Sequence, residues 1–351
     1  MRHEHVLIVR LAGIGDIVMA SCAARRLREL RPNARISWLT GATAAPLVER
    51  FADVDQVISL DERRLLAGSA REAMAALLPV WNRLLRERIG EVVLLHLDRR
   101  YRFVVAPLLG ARLWALERGL NPLAGRYFGD ECARLIEEGP GSRAGLPSRA
   151  AGAHATLGRL RDGETAGGGV KRPRVALVPG GARNVLREDR LRRWTVEHYA
   201  QVARALASNA EVVLIGDAAD AWVRPAFEGT PVVDRLGAMT LVETLDFFRN
   251  CELTISHDTG PMHLARLAGS PLIALFGPTN PAERLPEDDR TVVFWGGADL
   301  ACRPCYDGRN YAPCNDNVCL SGISPEVVVR AARAMLSRQN PDAGRRLTVV
   351  A

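Results

Sequence analysis

Two short segments, far apart in the chain, combine glycines with side chains that could bind phosphate and move protons. Residues 11–16 read Leu-Ala-Gly-Ile-Gly-Asp, and residues 256–263 read Ser-His-Asp-Thr-Gly-Pro-Met-His. Each follows an apolar run typical of a strand and precedes a helical pattern. Backbone N–H groups at a helix start are unpaired and the helix dipole favours negative charge there, so both turns suit anionic ligands. One such turn in each half predicts two nucleotide-fold domains that face each other across a cleft, which suits group transfer.

The first segment predicts a carboxylate at the mouth of a sheet. Gly13 and Gly15 allow a tight turn and close approach of a ligand, and Asp16 falls where ligands of open α/β sheets bind. A dinucleotide fingerprint would have its third glycine where this chain has Val18, and Asp16 would repel a pyrophosphate. This disfavours a nicotinamide site and favours a catalytic or acceptor-binding carboxylate. The alternative is that Asp16 merely caps its helix.

The second segment offers the groups needed to hold a ribose and phosphates. Asp258, Thr259 and Gly260 supply a carboxylate, a hydroxyl and a bare backbone at a strand end, and His263 follows on the first turn of the next helix. We expect His257 to be structural, as lone histidines of this kind usually are.

Arginines crowd a third predicted strand-to-helix connection, which begins at Gly180 and Gly181. Their guanidinium groups could neutralise a diphosphate, and the alternative is a solvated basic loop. The arginines are Arg183, Arg187, Arg192 and Arg193.

Four of the seven cysteines are closely spaced near the end of the second half, as Cys-x₂-Cys-x₈-Cys-x₄-Cys. Four thiolates could hold zinc or iron and stiffen a loop with little apolar content, although the spacing is not that of a standard zinc finger. The alternative is reduced thiols without a metal. The four are Cys302, Cys305, Cys314 and Cys319.

Strand and helix patterns alternate in both halves, which predicts parallel sheets covered by helices. The glycine-rich stretch 161–173 is the predicted domain boundary. We therefore expect an N-terminal Rossmann-like domain over 1–165, a C-terminal one over 166–323, and a final helical segment over 324–351 that packs back on the first domain. Residues 117–146, rich in Gly, Arg and Pro, are expected to be a loop.

The net charge and the amino-acid composition indicate which classes of partner the chain can bind. The 351 residues carry a net charge of +7, which favours anionic partners such as phosphorylated sugars, a nucleotide or a membrane face. Aromatic residues make up only 5%, which disfavours nucleic acid. The chain lacks a run of about 18 apolar residues and a signal-peptide core, so we expect a cytoplasmic protein without a transmembrane segment.

The ordered set of motifs resembles the ADP-heptose:lipopolysaccharide heptosyltransferases of glycosyltransferase family 9. The resemblance spans residues 6 to 336 and rests on residues 13–16, 179–181 with 192–194, 257–263 and 276–281. It implies an α/β protein of the GT-B fold, in which two Rossmann-like domains bind the acceptor and the nucleotide-sugar donor respectively. It also implies an inverting transfer that needs no metal or other cofactor.

The same resemblance implies roles for individual residues. Asp16 matches the family's proposed general base, and Arg192 lies where the family usually has a basic residue, often lysine, for the diphosphate. The positions that match donor-binding residues are Asp258, Thr259, Gly260 and His263.

The expected activity is transfer of heptose or a similar sugar, from ADP-heptose, to a lipopolysaccharide core acceptor at the inner membrane. Two alternatives are sugar transfer to a protein and a nucleotide-binding module without catalysis. Arg99, Arg100 and Arg102 could meet acceptor phosphates, or could simply be a solvated helix start.

Overall fold

The computed structural model describes residues 4–11, 13–117, 122–139, 154–161, 172–183, 187–307 and 310–338. The chain divides into two compact units. Unit 1 consists of Met1–Asp162 with Asn184–Arg187, and unit 2 consists of Gly163–Arg183 with Glu188–Ala351. Most of the predicted linker, residues 161–173, lies outside the described residues.

Unit 1 contains a five-stranded parallel sheet in the order β3-β2-β1-β4-β5. Every residue of the central strand β1 is buried, because helices cover both faces of a parallel sheet, and four of its five residues are apolar. The strands are β1 (His5–Val9), β2 (Arg35–Gly41), β3 (Gln56–Leu60), β4 (Glu91–Leu94) and β5 (Arg112–Ala115).

The helices of unit 1 follow from local signals. Ser69 and Glu72 form a capping box that begins α4, in which each side chain binds the other residue's backbone N–H. The helices are α1 (Ile14–Leu30), α2 (Ala45–Val48), α3 (Glu62–Ala67), α4 (Ala70–Arg86) and α5 (Phe128–Glu138), with a 3-10 helix over Arg99–Val105.

The loop expected over residues 117–146 is wrong at its centre, where α5 forms and packs on α1. Glu131 and Arg134 form a buried ion pair of 2.7 Å on this helix, and Arg134 also binds Glu138 at 3.2 Å. These ion pairs join residues three and four positions apart on the helix and balance their charges. From composition alone, the same charged residues are typical of a loop.

Unit 2 contains a six-stranded parallel sheet in the order β11-β10-β9-β6-β7-β8. Its two edge strands, β8 and β11, were not expected, because β8 has only two residues and neither strand is buried. The strands are β6 (Arg174–Val178), β7 (Glu211–Leu214), β8 (Val233–Asp234), β9 (Leu253–His257), β10 (Leu272–Phe276) and β11 (Thr291–Trp295).

Helices cover the unit 2 sheet, and Trp194 and Tyr199 are among the largest side chains in its core. The final helix, α10, packs on α6, where Arg333 donates a hydrogen bond to the Ala205 carbonyl at 3.0 Å. Its packing on the first domain stays a prediction. The helices are α6 (Val196–Leu206), α7 (Leu241–Arg249), α8 (Gly260–Ala268), α9 (Val318–Ser321) and α10 (Pro325–Arg338), with 3-10 helices over Arg190–Arg192, Ala218–Phe227 and Pro281–Glu283.

None of the helices in the described ranges combines the length and the apolar composition that a membrane crossing requires.

Candidate functional site

Asp16 lies in the first turn of α1, just beyond the carboxyl end of β1. Gly13 precedes the helix with a φ of 74°, and a Cβ atom at Gly13 would lie 2.7 Å from Oδ2 of Asp16. Both the backbone conformation and the space therefore require glycine at this position. Gly15 is buried in the same turn. The Asp16 side chain is 36% exposed, so its carboxylate is accessible to a ligand.

Arg10, directly after β1, holds the Asp16 carboxylate. Its Nη2 lies 2.6 Å from Oδ2 of Asp16, its Nη1 donates to the carbonyl of Leu95, and the guanidinium lies 5.3 Å from the centre of the Phe128 ring. With three elements contacting it, the side chain is only 12% exposed. Arg10 was not among the residues predicted from the sequence, although its place at the end of the strand that precedes the glycine turn was a usable signal.

His96 lies just beyond the end of β4, and its side chain is neutral. Its Nε2 accepts a hydrogen bond of 2.8 Å from the Leu11 N–H, and its ring stacks on Tyr101 with the ring centres 3.7 Å apart. Burial, and then the charge of Arg10, hold the pKa of His96 well below its usual value. Positive charge beside Asp16 is therefore supplied by Arg10 and not by His96. This residue was also missed.

In unit 2, the glycine turn after β6 is bound to the turn after β9. Gly181 has a φ of 80°, and a Cβ atom there would lie 2.6 Å from the Thr259 hydroxyl oxygen. Ala182 N–H donates to that oxygen at 2.9 Å, while Gly181 N–H donates to Asp220 at 2.7 Å. Gly180 also packs against Asp220. Thr259, predicted to bind a ligand, thus also holds the two turns together.

Asp258 is 2% exposed and lies among hydrogen-bond donors and positive charges. Its Oδ2 accepts a hydrogen bond of 2.8 Å from the Thr279 hydroxyl and lies 3.5 Å from Nη1 of Arg192, while Nε2 of His263 is 4.0 Å from Oδ1. Burial raises the pKa of Asp258, but Arg192, Arg284 and His263 outweigh burial and lower it. The carboxylate is therefore ionised and is held by the protein's own groups.

Arg192 is the positive centre of this cluster. Besides Asp258, it binds Asp189 at 2.9 Å through Nη2. Burial opposes its charge, but attraction to Asp258, Tyr311 and Asp189 raises the pKa of Arg192 above its usual value, so the guanidinium stays charged. Its Nε is buried and has no hydrogen-bond partner among the described residues. Arg192 thus keeps a donor that its protein neighbours do not use.

Helix α8 begins at Gly260 and presents its N-terminus beside Asp258 in the chain. Its first turn holds Pro261 and no acidic residue, and the Thr259 side chain does not cap it. The unpaired N–H groups at this end suit an anion. His263, 5% exposed, lies on the same first turn.

The other arginines predicted near the diphosphate are held by protein groups. Arg183 binds Asp217 and Asp220, and Arg193 donates to the Gly181 carbonyl at 2.6 Å. Neither is a residue of a solvated loop. Arg187 is exposed.

His257 is a core residue, as expected. It is fully buried, and its Nδ1 lies 3.1 Å from the Tyr199 hydroxyl. Burial, followed by the charges of Arg192 and Arg193, lowers the pKa of His257 to about 3. The ring is therefore neutral over the physiological range.

The four closely spaced cysteines are free thiols with different exposure. Cys302 and Cys314 are exposed, whereas Cys319 is buried and its thiol donates to the Asn317 side chain at 3.5 Å. Cys305 is half-buried. Across the described ranges, no three His, Cys, Asp or Glu side chains are grouped so that they could hold a metal ion. Burial raises the pKa of the Cys319 thiol, and the charges of Cys305, Cys314 and Cys302 raise it further, so the four thiols lie within electrostatic range of one another. The zinc or iron site stays a prediction.

The unit 2 residues described above lie in a segment that is similar to a known family. Residues 145–314 match the sequence model of glycosyltransferase family 9 (heptosyltransferase). Over these residues the chain is similar to that family. The match includes the glycine turn after β6, Arg192 and the segment from Asp258 to His263.

Individual proteins are similar to this chain over most of its length. Lipooligosaccharide heptosyltransferase 2 of Haemophilus influenzae is 27% identical over 313 residues, which cover 83% of this chain and 88% of the relative. Lipopolysaccharide heptosyltransferase 2 of Escherichia coli K12 is 24% identical over 319 residues, covering 79% and 83% respectively.

The fold is also that of solved heptosyltransferases. The structure of E. coli ADP-heptose lps heptosyltransferase II superposes with a TM-score of 0.72 at 20% sequence identity, over 96% of this chain and 99% of that one. The predicted α/β class, with two Rossmann-like units of the GT-B type, is confirmed.

Proposed function

We propose that this chain is an inverting glycosyltransferase that moves heptose from ADP-heptose to a hydroxyl of a lipopolysaccharide core acceptor. The similarity to glycosyltransferase family 9 and to heptosyltransferases supports sugar transfer. The observation that carries the proposal is the accessible Asp16 carboxylate at the carboxyl end of the unit 1 sheet, oriented by Arg10.

In this mechanism Asp16 acts as the general base. An acceptor hydroxyl is a weak nucleophile at neutral pH, so a carboxylate within hydrogen-bond reach must accept its proton as the new bond forms. The hydroxyl oxygen attacks the anomeric carbon from the side opposite the diphosphate. The bond from that carbon to the diphosphate oxygen breaks, the proton moves to Asp16, and ADP leaves with the bonding electrons. One displacement inverts the anomeric centre.

Unit 2 stabilises the departing diphosphate in the proposed mechanism. The leaving group gains negative charge, which the guanidinium of Arg192 and the N-terminus of α8 after Gly260 can balance. Asp258 positions Arg192 and keeps the buried cluster electrically balanced. Gly180 and Gly181 let the backbone approach the ligand, and Thr259 and His263 are the proposed polar contacts.

We propose that the reaction uses no metal or other cofactor, because Arg192 supplies the positive charge that a divalent ion provides elsewhere. We expect transfer rates measured in excess EDTA to equal those measured with added magnesium. A rate that falls at least tenfold in EDTA and recovers with metal contradicts this part of the proposal.

The test of the proposed activity is a transfer assay with the purified chain, ADP-heptose and a lipopolysaccharide core acceptor that lacks the transferred heptose. We expect the acceptor's mass to rise by one heptose as ADP is released. Asp16→Asn should abolish the mass change within the assay time, and Glu49→Gln, at an exposed carboxylate elsewhere in unit 1, should not. Label transferred to a polypeptide instead would favour the protein-acceptor alternative. Donor binding without any transfer would favour a catalytically inactive module.

A core acceptor is anchored in a bilayer by its lipid, so we further propose that the protein works as a peripheral protein at the cytoplasmic face of the inner membrane. The net charge of +7 supports contact with anionic lipid.

A further inference from the structure

Helix α4 is apolar on two sides, and one of these sides faces solvent. Its inner side packs Leu77, Val80 and Leu84 into the unit 1 core. On its outer side, Met74, Leu78 and Leu85 are 44%, 49% and 64% exposed. Spacings of four and seven residues place these three on one helix face. Single exposed leucines are common on protein surfaces, but a row along one face marks an interaction site.

A fourth apolar side chain lies beside this row. Phe103, on the 3-10 helix Arg99–Val105, is 66% exposed. The indole Nε1 of Trp81, on α4, donates to the carbonyls of Phe103 and Val104, each at 3.2 Å, and so fixes the 3-10 helix against α4. Met74, Leu78, Leu85 and Phe103 together are called the α4 face below.

Exposed arginines accompany the α4 face. Arg71 and Arg86 lie on α4, and Arg99 and Arg102 lie on the 3-10 helix. Within the part of the chain that the structure describes, none of these four has a carboxylate within ion-pair distance. Glu72, the acidic residue of α4, is engaged in the capping box with Ser69. The surroundings of the apolar row are therefore positively charged and not neutralised.

The exposed apolar row and the exposed arginines beside it together favour an anionic bilayer over other binding partners. Apolar side chains on a helix face can enter the boundary between headgroups and acyl chains, while neighbouring arginines pair with lipid phosphates. A second copy of the chain, joined through a twofold axis, would bring the same arginines against each other. Nucleic acid would satisfy the arginines but would leave the leucines and Phe103 without an apolar partner.

We propose that the α4 face docks the protein on the surface of an anionic membrane. The inference deepens the proposed function, because docking would bring the enzyme to the surface that presents a lipid-anchored acceptor. The binding itself can be measured without any sugar transfer.

The experiment is co-sedimentation of the full chain with vesicles of phosphatidylglycerol and phosphatidylethanolamine, compared with vesicles of phosphatidylcholine. We expect the wild-type chain to bind the anionic vesicles at least tenfold better, with binding that weakens as salt is raised. Leu78→Glu combined with Leu85→Glu should lower binding to anionic vesicles at least tenfold. Both positions are exposed, so the folded state should tolerate the change.

The matched control is Leu30→Glu combined with Val233→Glu, at exposed apolar positions on α1 and β8. This variant has the same change in net charge, and we expect it to bind vesicles within twofold of the wild-type chain. Equal losses in the two double variants would mean that total charge decides binding, and would overturn the assignment to the α4 face.

Two further outcomes would overturn the proposal. One is wild-type binding that is equally strong to both kinds of vesicle. The other is a dimer, seen by light scattering, that the Leu78/Leu85 variant abolishes while the wild-type chain does not bind vesicles, because the occupant would then be a second copy. Transfer to a soluble, delipidated acceptor should be unchanged in both double variants. Failure of transfer with retained vesicle binding would count against the proposed function and not against docking.

Discussion

Asp16 in unit 1 and Asp258 in unit 2 occupy comparable places, since each follows a buried parallel strand at the start of a helix. Their surroundings differ. The Asp16 side chain is 36% exposed and pairs with Arg10, whereas Asp258 is 2% exposed and is held by Thr279, Arg192 and its other neighbours. The same sequence signal has therefore produced an accessible carboxylate in unit 1, which is the proposed base, and a buried carboxylate held by protein groups in unit 2.

The largest effect that separates the two carboxylates is expected in turnover. Asp16→Asn removes the proposed base but keeps the size of the side chain, so kcat should fall by about 10²–10⁴-fold. The Kd for the nucleotide-sugar, measured by calorimetry, should stay within twofold of the wild-type value. A kcat within threefold of wild type would remove Asp16 from the mechanism.

The free energy of unfolding should respond in the opposite order, with a larger loss in Asp258→Asn than in Asp16→Asn. Asp258→Asn leaves the partly buried guanidinium of Arg192 with Asp189 as its remaining carboxylate partner at ion-pair distance in the described structure, and breaking a buried pair typically costs about 3–5 kcal/mol. Urea unfolding should show a loss of this size, and donor affinity should fall as well. Asp16→Asn should change the free energy of unfolding by less than about 1 kcal/mol, as expected for a partly exposed pair. Equal losses in the two variants would contradict the comparison.

Arg10 is expected to act as a positioning residue for Asp16. Arg10→Met should lower kcat by about 10–100-fold through misplacement of the carboxylate. It should also move the acid limb of the kcat/KM profile to higher pH, because an adjacent positive charge stabilises the ionised base.

Arg10→Lys separates these two effects. The charge is kept, so the acid limb should stay near its wild-type position. The contacts with Leu95 and Asp16 cannot both be reproduced by an ammonium group, so kcat should still fall. If Arg10→Met moves neither kcat nor the acid limb, Arg10 has a merely structural role.

The smallest expected effect is the contribution of His257, in the unit 2 core, to the pH dependence of the free energy of unfolding. The pKa of His257 is about 3 in the folded chain, against 6.5 for an unperturbed histidine, so the unfolded state takes up a proton first as pH falls. The contribution of the neutral His257 ring to the free energy of unfolding is fully present above pH 6.5 and is lost progressively as the pH falls toward 3. Between pH 8 and pH 5 the loss attributable to His257 should be about 2 kcal/mol.

The measurement is urea unfolding at the two pH values, for the wild-type chain and for His257→Gln. The glutamine variant should lose about 2 kcal/mol less than the wild-type chain over this interval. Identical pH dependence in both would show that other groups, such as the buried His96, dominate the acid response.

The sequence was sufficient to predict the strand-turn-helix segments, because their signals are local. Gly13 with Asp16, and Asp258 with Thr259 and Gly260, each fall within a few residues. Such patterns also predicted the parallel sheets and the two Rossmann-like units.

Contacts between distant segments were not predictable in this way. Arg10 meets Asp16 and Leu95 because β1 and β4 are neighbours in the sheet, and sequence spacing does not reveal that pairing. Thr279 was noticed as part of a motif, but its hydrogen bond to Asp258 depends on β9 and β10 lying side by side. Helix α5 was missed because its stabilising ion pairs use charged residues that composition alone assigns to loops.

The hydrogen bond from Ala182 to Thr259 has a consequence for protein engineering. It joins the loop after β6 to the loop after β9, so that the two loops are coupled. Gly181 also packs so closely against Thr259 that any larger residue would push the loops apart. Ligand preference in unit 2 therefore cannot be retuned by altering one loop at a time. Directed evolution of these two loops should keep Gly181 and Thr259 constant and diversify the side chains around them.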